Sequence, residues 1–520
     1  MRQSTLLVVN TMVTYARMAL TVGLGLAATR FLTRALGYSD FGLSSVLGAS
    51  GTLLTVVSDA FTSSTQRHMA YEIGRGDTQR VGVVFNTSLV LFVMMGLALL
   101  IIGSALTPIV MHVLTIPLGR ERAAFWVYEL TLLNLAITML TIPFGAIIDA
   151  HQAMVFSAVR DFFVSCVQLA AVLLMLVLPG DKLITYAILI LVGRAAILTL
   201  FSLIVIQVFP ASRPRLTHFH RSELRNIAGF AGWTSLISLA WQLRCQGSIV
   251  LLNVVFGPVV NAALDIATRV AGYQQTLGGA IAVAARSATV NVHARGATES
   301  LKGLVLVTSK YTSLVMLFFL VPIQLEANNL LTLWLKEYPP LTPTFVRLAM
   351  IWVYLYPLSA GYHLAALAQG NIRRYAIITS FLDTMILVAG AIEFFVFGLS
   401  PTALLVTAVI STAIQICFQA SYVGGQIGLP FTAWVWRLLR PVSIVALLGL
   451  GAVWLAHHYL NDGLPRLLTA VLTSAIVIIP ASWFLALEPW ERTFFQGIVL
   501  AFCNRVHGRT SRPLVASNEQ

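Results

Sequence analysis

The sequence predicts an all-α polytopic membrane protein with about fourteen transmembrane helices, in two pseudo-symmetric six-helix bundles plus two C-terminal helices. Three observations predict it. Of the 520 residues, 58% are hydrophobic and 10% charged, whereas a soluble domain carries about 25% charged residues. That balance excludes a soluble enzyme. The apolar residues fall in runs of about 20, the length of a membrane-spanning helix. The chain on either side of one central polar stretch also looks duplicated.

That stretch, PASRPRLTHFHRSELR at 210–225, carries Arg213, Arg215, Arg221, Arg225, His218 and His220 against one acid, Glu223. Across it, Gly37 aligns with Gly257 at an offset of 220 positions, and the same offset places Arg75-Gly76-Asp77-Thr78 on Arg295-Gly296-Ala297-Thr298. An offset of 219 sets Ala146–Gln152 beside Ala365–Asn371. Three short matches in one order at nearly one spacing indicate a repeated unit, the plan on which many transporters are built.

The first apolar run continues from Leu6 past Leu26, beyond the roughly 7 to 15 residues of a signal-peptide core, and is read as a span. Six spans are expected before the linker, at 7–29, 42–65, 82–106, 123–147, 154–179 and 183–208. Six follow at 227–256, 261–285, 303–324, 342–368, 375–398 and 401–424, and two at 441–459 and 466–487 have no counterpart in the first half. The expected division is an N-terminal bundle at 1–208, a basic linker at 209–226, a C-terminal bundle at 227–425, two further helices within 426–488 and a tail at 489–520. The segment 490–506 reads equally as a surface-lying helix or as a short helix before a disordered tail.

The net charge of +13 is read as topological and not as a nucleic-acid footprint. Arg67, Arg75, Arg80, the linker arginines, Arg286, Arg295, Lys302, Arg373, Arg374, Arg437, Arg440 and the arginines near both termini fall on one side. The other side holds Arg30, Arg34, Arg120, Arg122, Lys182, Lys336, Arg347 and Arg466. The richer side is expected to be cytoplasmic and to hold both termini. Cys166, Cys245, Cys417 and Cys503 show neither pairing nor metal spacing.

Ionisable groups inside spans are costly, so each is a candidate for function. Arg17 lies in span 1, Asp59 in span 2 and Arg244 in span 7 within Trp241-Gln242-Leu243-Arg244-Cys245-Gln246; Asp265 and Arg269 share one face of span 8. Spans 1, 2, 7 and 8 hold corresponding places in the repeats, so these groups are expected to converge on one cationic cavity. Plainer readings stand beside this one: Asp265 neutralising Arg269, Arg17 reaching an interface, Asp59 bonding neighbouring helices. Asp383 and Glu393 in span 11 have no base near in sequence and are expected, with Asp59 and Asp265, to take a coupling proton or sodium ion. Arg160, Asp161 and Arg194 read as an extension of the basic surface or as a local pair. His457-His458 with Asp462 mimics a metal pair, but adjacent histidines leave a helix on different faces, so no metal is expected. There is no phosphate-binding loop of the form G-x-x-x-x-G-K-[ST], and no cofactor is called for.

Residues 30–42, RFLTRALGYSDFG, with an echo in Phe256-Gly257 leading to Ala267-Thr268-Arg269, and the run Ala146–Gln152 followed by Phe156, resemble the oligosaccharide flippase family of polysaccharide biosynthesis. That family shares a superfamily with the multidrug and toxin exporters and the lipid II flippase. The resemblance covers most of the chain and rests on loose patterns. It implies a non-enzymatic carrier of a lipid-linked, undecaprenyl-pyrophosphate type oligosaccharide across the bacterial inner membrane for exopolysaccharide, capsule or O-antigen assembly. It further implies alternating access, a membrane-lipid environment, a polysaccharide polymerase and export machinery as partners, and Arg17, Arg244 and Arg269 as pyrophosphate contacts. Span 2 offers Asp59 and no arginine, which departs from the lipid II flippase. A cation-coupled multidrug exporter is the alternative within the fold; a membrane glycan polymerase or ligase would need a large outward loop that the sequence does not show.

Overall fold

The computed structural model describes residues 2–151, 153–215, 232–369, 372–493 and 496. A backbone in hydrocarbon must satisfy its own hydrogen bonds, and a chain with these apolar runs does so as helices. No strand occurs among the described residues. The first half comprises α1 (Arg2–Leu53), α2 (Val56–Gly74), α3 (Thr78–Val113), α4 (Glu121–Ala150), α5 (Met154–Val177) and α6 (Lys182–Val208). The second begins with α7 (Gly232–Gln242), a π turn (Leu243–Gly247) and α8 (Ser248–Phe256), followed by α9 (Pro258–Ala294) and α10 (Thr298–Leu335). Next come α11 (Thr342–Leu355), a 3₁₀ turn (Tyr356–Ser359), α12 (Ala360–Gln369), α13 (Arg373–Phe395) and α14 (Thr402–Ile427). The last pair is α15 (Phe431–Trp434) running through a second π turn into α16 (Arg440–Tyr459), then α17 (Leu464–Ala481).

Among the described residues, 10 helical segments are long and apolar enough to cross a membrane, against the fourteen expected. Span 1 lies in α1, where the side chains up to Arg17 are outside what is described. The other three have physical reasons to fall short. The range 42–65 of span 2, which follows the non-helical Gly37 inside α1, is interrupted between Leu53 and Val56. Span 8 corresponds to α9, whose Asn261, Asp265, Arg269, Gln274 and Gln275 dilute its apolar character. Span 10 is divided between α11 and α12 by the turn holding Pro357, because proline cannot donate the helical hydrogen bond. Of the linker, only the part up to Arg215 is described, and most of the tail at 489–520 also lies outside the described residues.

The duplicated motifs adopt matching backbones. Gly37 has φ 72° and ψ 169°, and Gly257 φ 79° and ψ −177°, a conformation that glycine alone takes without strain. Gly76 and Gly296 have φ 74° and 68°, and the preceding Arg75 and Arg295 have φ −82° and −80°. Each glycine therefore makes the same break between helices in both halves. The third echo ends at Gly370 and Asn371, outside the described residues.

The halves meet along α1 against α9 and α2 against α7. At the closest crossing a Cβ on Gly42 would stand 1.7 Å from the Pro258 carbonyl oxygen, so the absent side chain sets the helix separation. Asn253 accepts a bond from the Thr115 amide at 2.9 Å, and Trp334 Nε1 donates to the Leu26 carbonyl at 2.9 Å. The largest buried apolar cluster likewise joins Ala28, Leu32 and Phe41 of α1 to the second half. Arg120 is held between Asp40 and Asp181, tying α1, α4 and α6 together. Glu326 of α10 accepts from Arg466 at 2.9 Å and pairs with His457 at 2.7 Å, fastening α16 and α17 to the second half.

Candidate functional site

Between the halves lies a cavity of about 600 Å³. α1 contributes Ser44, Ser45, Gly48 and Ala49; α4 contributes Thr131 and Asn134; α6 contributes Leu183, Tyr186, Ala187, Ile190 and Arg194. The α6 spacing is that of one helix face. From the second half come Trp241, Arg244 and Gln246 around the π turn, Asp265, Thr268 and Arg269 on α9, Trp352 on α11 and Tyr356 in the 3₁₀ turn after it. A second chamber of about 400 Å³ is lined by Asp59, Arg286, His363, Tyr375, Asp383, Gln415 and others. Trp241 and Tyr356 border both chambers, and their rings meet edge to face at 5.4 Å. They form a septum.

The expected residues are brought together in part. Asp265 and Arg269 both line the first cavity and pair across one helical turn at 2.9 Å. Arg244 borders the same cavity, but its side chain is 0% exposed and its Nη1 donates to Asp383 at 2.6 Å. Asp383, read in sequence as an acid without a base, therefore has one on another helix. Gln415 Nε2 approaches its second oxygen at 3.5 Å. The π turn sets Arg244 inward, and the absent side chain of Gly247, where a Cβ would lie 2.7 Å from Leu387, lets that turn pack on α13. Asp59 is exposed to the second chamber, with Gln242 Nε2 at 3.4 Å from its carboxylate. Glu393 lines neither chamber and accepts from the Thr407 hydroxyl between α13 and α14. Arg17 belongs to α1, and its side chain lies outside what is described.

Two residues gain weight from the structure. Arg194, read in sequence as basic surface or local pairing, reaches the first cavity and has no acidic partner among the described residues. Its signal was available: it falls on the same α6 face as Tyr186 and Ile190. Lys310, which the sequence reading passed over, is 2% exposed and pairs at 2.9 Å with the fully buried Glu491, anchoring the start of the tail segment beneath α10. Arg160 pairs locally with Asp161 at 3.0 Å, away from both chambers.

The sequence matches no protein-family model and no curated protein. Solved structures do match. The lipid II flippase MurJ in an inward closed conformation aligns over 95% of this chain and 100% of its own, with a TM-score of 0.66 at 12% identity. The fold is that of the MOP-superfamily transporters. A multidrug resistance MATE family transporter of that superfamily, inward-facing, aligns over 80% of this chain and 98% of its own, with a TM-score of 0.63 at 16% identity. A MOP-superfamily transporter from Pyrococcus furiosus, described by the reversed polarity of its binding pocket, gives 0.59 at 16% identity over 82% and 95%. The structures this chain resembles are thus multi-pass membrane transporters and flippases, and at these identities the likeness is one of fold.

Proposed function

We propose that the protein is a flippase that carries a lipid-linked, pyrophosphate-bearing oligosaccharide across a bacterial inner membrane for surface polysaccharide assembly. The cargo headgroup crosses by alternating access through the cavity between the halves, while its lipid tail stays in the bilayer. The observation that carries this reading is the charge of that cavity: among the described residues Arg194 and Arg269 line it against the single acid Asp265, while Arg244 beside them is matched by Asp383. Arg194 is the cation left unmatched, so it makes the first contact with an anionic headgroup. Arg269 joins it once the headgroup competes with Asp265, because guanidinium groups bind phosphate oxygens bidentately. A carrier of cationic drugs would present a free acid in that cavity, whereas Asp265, the acid lining it among the described residues, is held by Arg269. Asp59, which faces the second chamber without a basic partner among the described residues, is the acid this reading assigns to proton or sodium coupling. The arginine-rich loops support a cytoplasmic position for both termini, and in this reading a polymerase and export machinery act on the delivered repeat units.

Deletion of the gene, followed by analysis of lipid-linked intermediates, tests the reading. Complete repeat units should collect on the cytoplasmic leaflet, and Arg194→Ala should lower export about 10- to 100-fold, the worth of one charge-assisted contact, with protein level unchanged. Normal surface glycan in the deletion strain would remove the cargo assignment; normal export by Arg194→Ala would remove the headgroup site.

A further inference from the structure

The surroundings of Arg244 form a binding site in their own right. Its guanidinium carbon lies 4.2 Å from the ring centroid of Trp241, 4.7 Å from that of Trp352 and 5.0 Å from that of Tyr356. All three fall within the roughly 6 Å at which a cation is attracted to an aromatic face. The fourth side is closed by the Asp383 carboxylate at 2.6 Å. Of the guanidinium nitrogens, Nε and Nη2 make no hydrogen bond. Three rings and one carboxylate are the elements of a cage for an organic cation, and here the cage is filled by a side chain of the same protein.

We propose that Trp241, Trp352, Tyr356 and Asp383 make up a cation-binding cage, self-liganded by Arg244, which takes a small guanidinium or quaternary ammonium ion when that side chain is removed. Access does not require the protein to open, because Trp241 and Tyr356 border both chambers and Asp383 borders the second. The tethered cation pairs with the buried Asp383 carboxylate at the septum. It also pins the π turn between α11 and α13, so the fold retains an organic-cation site without offering it to the cavity. The inference rests on the geometry of the cage and is independent of which cargo the first cavity carries.

The test is ligand-dependent thermal stability of the purified full-length chain in detergent, with methylguanidinium as probe and methylurea, its neutral near-isostere, as control. For Arg244→Ala the unfolding midpoint should rise saturably with methylguanidinium and not with methylurea. Wild-type protein, whose cage is full, should show no such rise, nor should Arg244→Met, which fills the volume without charge. Asp383→Asn in the Arg244→Ala background should abolish the effect. If Arg244→Ala is recovered only as aggregate, the same comparison is made by solubilising it with and without methylguanidinium and measuring the monodisperse fraction, which the cation should restore. Equal responses in wild type and variant, equal responses to the cation and methylurea, or no response in either measurement would overturn the proposal.

Discussion

Lys310 and Glu491 form a pair whose energetics follow from where each sits. Both side chains are almost wholly buried and 2.9 Å apart, and Glu491 also accepts the Glu488 amide at 2.6 Å. Lys310 stands more than three turns into α10, held by its helix. Glu491 belongs to a short segment after α17. In Glu491→Gln the acceptor oxygen remains and the charge goes, leaving a buried ammonium without its counter-charge. Removing one partner of a buried pair costs about 3–5 kcal/mol, close to the roughly 2.5–3.5 kcal/mol of a lysine at the centre of a membrane helix. Lys310→Met should cost less, about 1.5–3 kcal/mol, the worth of one hydrogen bond to a charged group, because the freed segment can turn its carboxylate toward water. With Lys310→Met and Glu491→Gln combined, no buried charge is left, and the double variant should lose less stability than the sum of the two single variants. Unfolding by added SDS in mixed micelles, followed by tryptophan fluorescence, measures all four proteins. Additive losses in the double variant would refute the pairing, and a larger loss for Lys310→Met than for Glu491→Gln would refute the asymmetry.

Other expectations follow from single contacts. Gly42→Ala should lower the yield of folded protein and abolish transport, because its Cβ would meet the Pro258 carbonyl, while Gly425→Ala, with nothing within 4 Å, should behave as wild type; size-exclusion recovery compares them. Burial opposes the charge of Asp181, but Arg120 and the Ile184 and Leu183 amides outweigh it and hold the carboxyl below its usual range. A depressed carboxyl contributes stability above its unfolded value near 4 and loses it as pH falls through the folded value. The Arg120 clamp should therefore hold steady from pH 8 to about 4 and fail only below, whereas Arg120→Ala should be weaker than wild type throughout that range, as thermal unfolding at each pH would show. Glu393→Gln should leave export unchanged, since Glu393 lines neither chamber; a loss would place an ion route between α13 and α14.

The sequence carried the helices and their repeat, since run length and glycine spacing are local properties, and Gly37, Gly76, Gly257 and Gly296 each mark a break that only positive φ allows. It carried the Asp265–Arg269 pair for the same reason, four residues being one turn. What it did not carry was partnership across the bundle. Arg244 and Asp383 belong to different helices and Lys310 and Glu491 are still further apart in the chain, and no periodicity relates them. Reading Arg244 and Asp383 each as a lone charge in hydrocarbon overstated how many were free, and Lys310 and Glu491 were not read at all. The split of span 10 at Pro357 and the interruption of span 2 between Leu53 and Val56 were also hidden, because apolar run length does not register a bend that keeps its hydrophobicity.

The repeat also shows how the charges are divided between the halves. At the offset of 220, Asp265 and Arg269 fall on Ser45 and Ala49, and all four line the cavity. The two walls therefore match in backbone and differ in chemistry: the second half bears the ion pair, and the first presents small, uncharged groups in its place. Arg194 offsets this difference, because it brings a cation from the first half where its own counterpart, Ile414, is apolar and exposed. An anionic headgroup resting between Arg194 and Arg269 would touch both halves at once. That is what alternating access requires, since a cargo bound to one half alone gains nothing from the movement of the other.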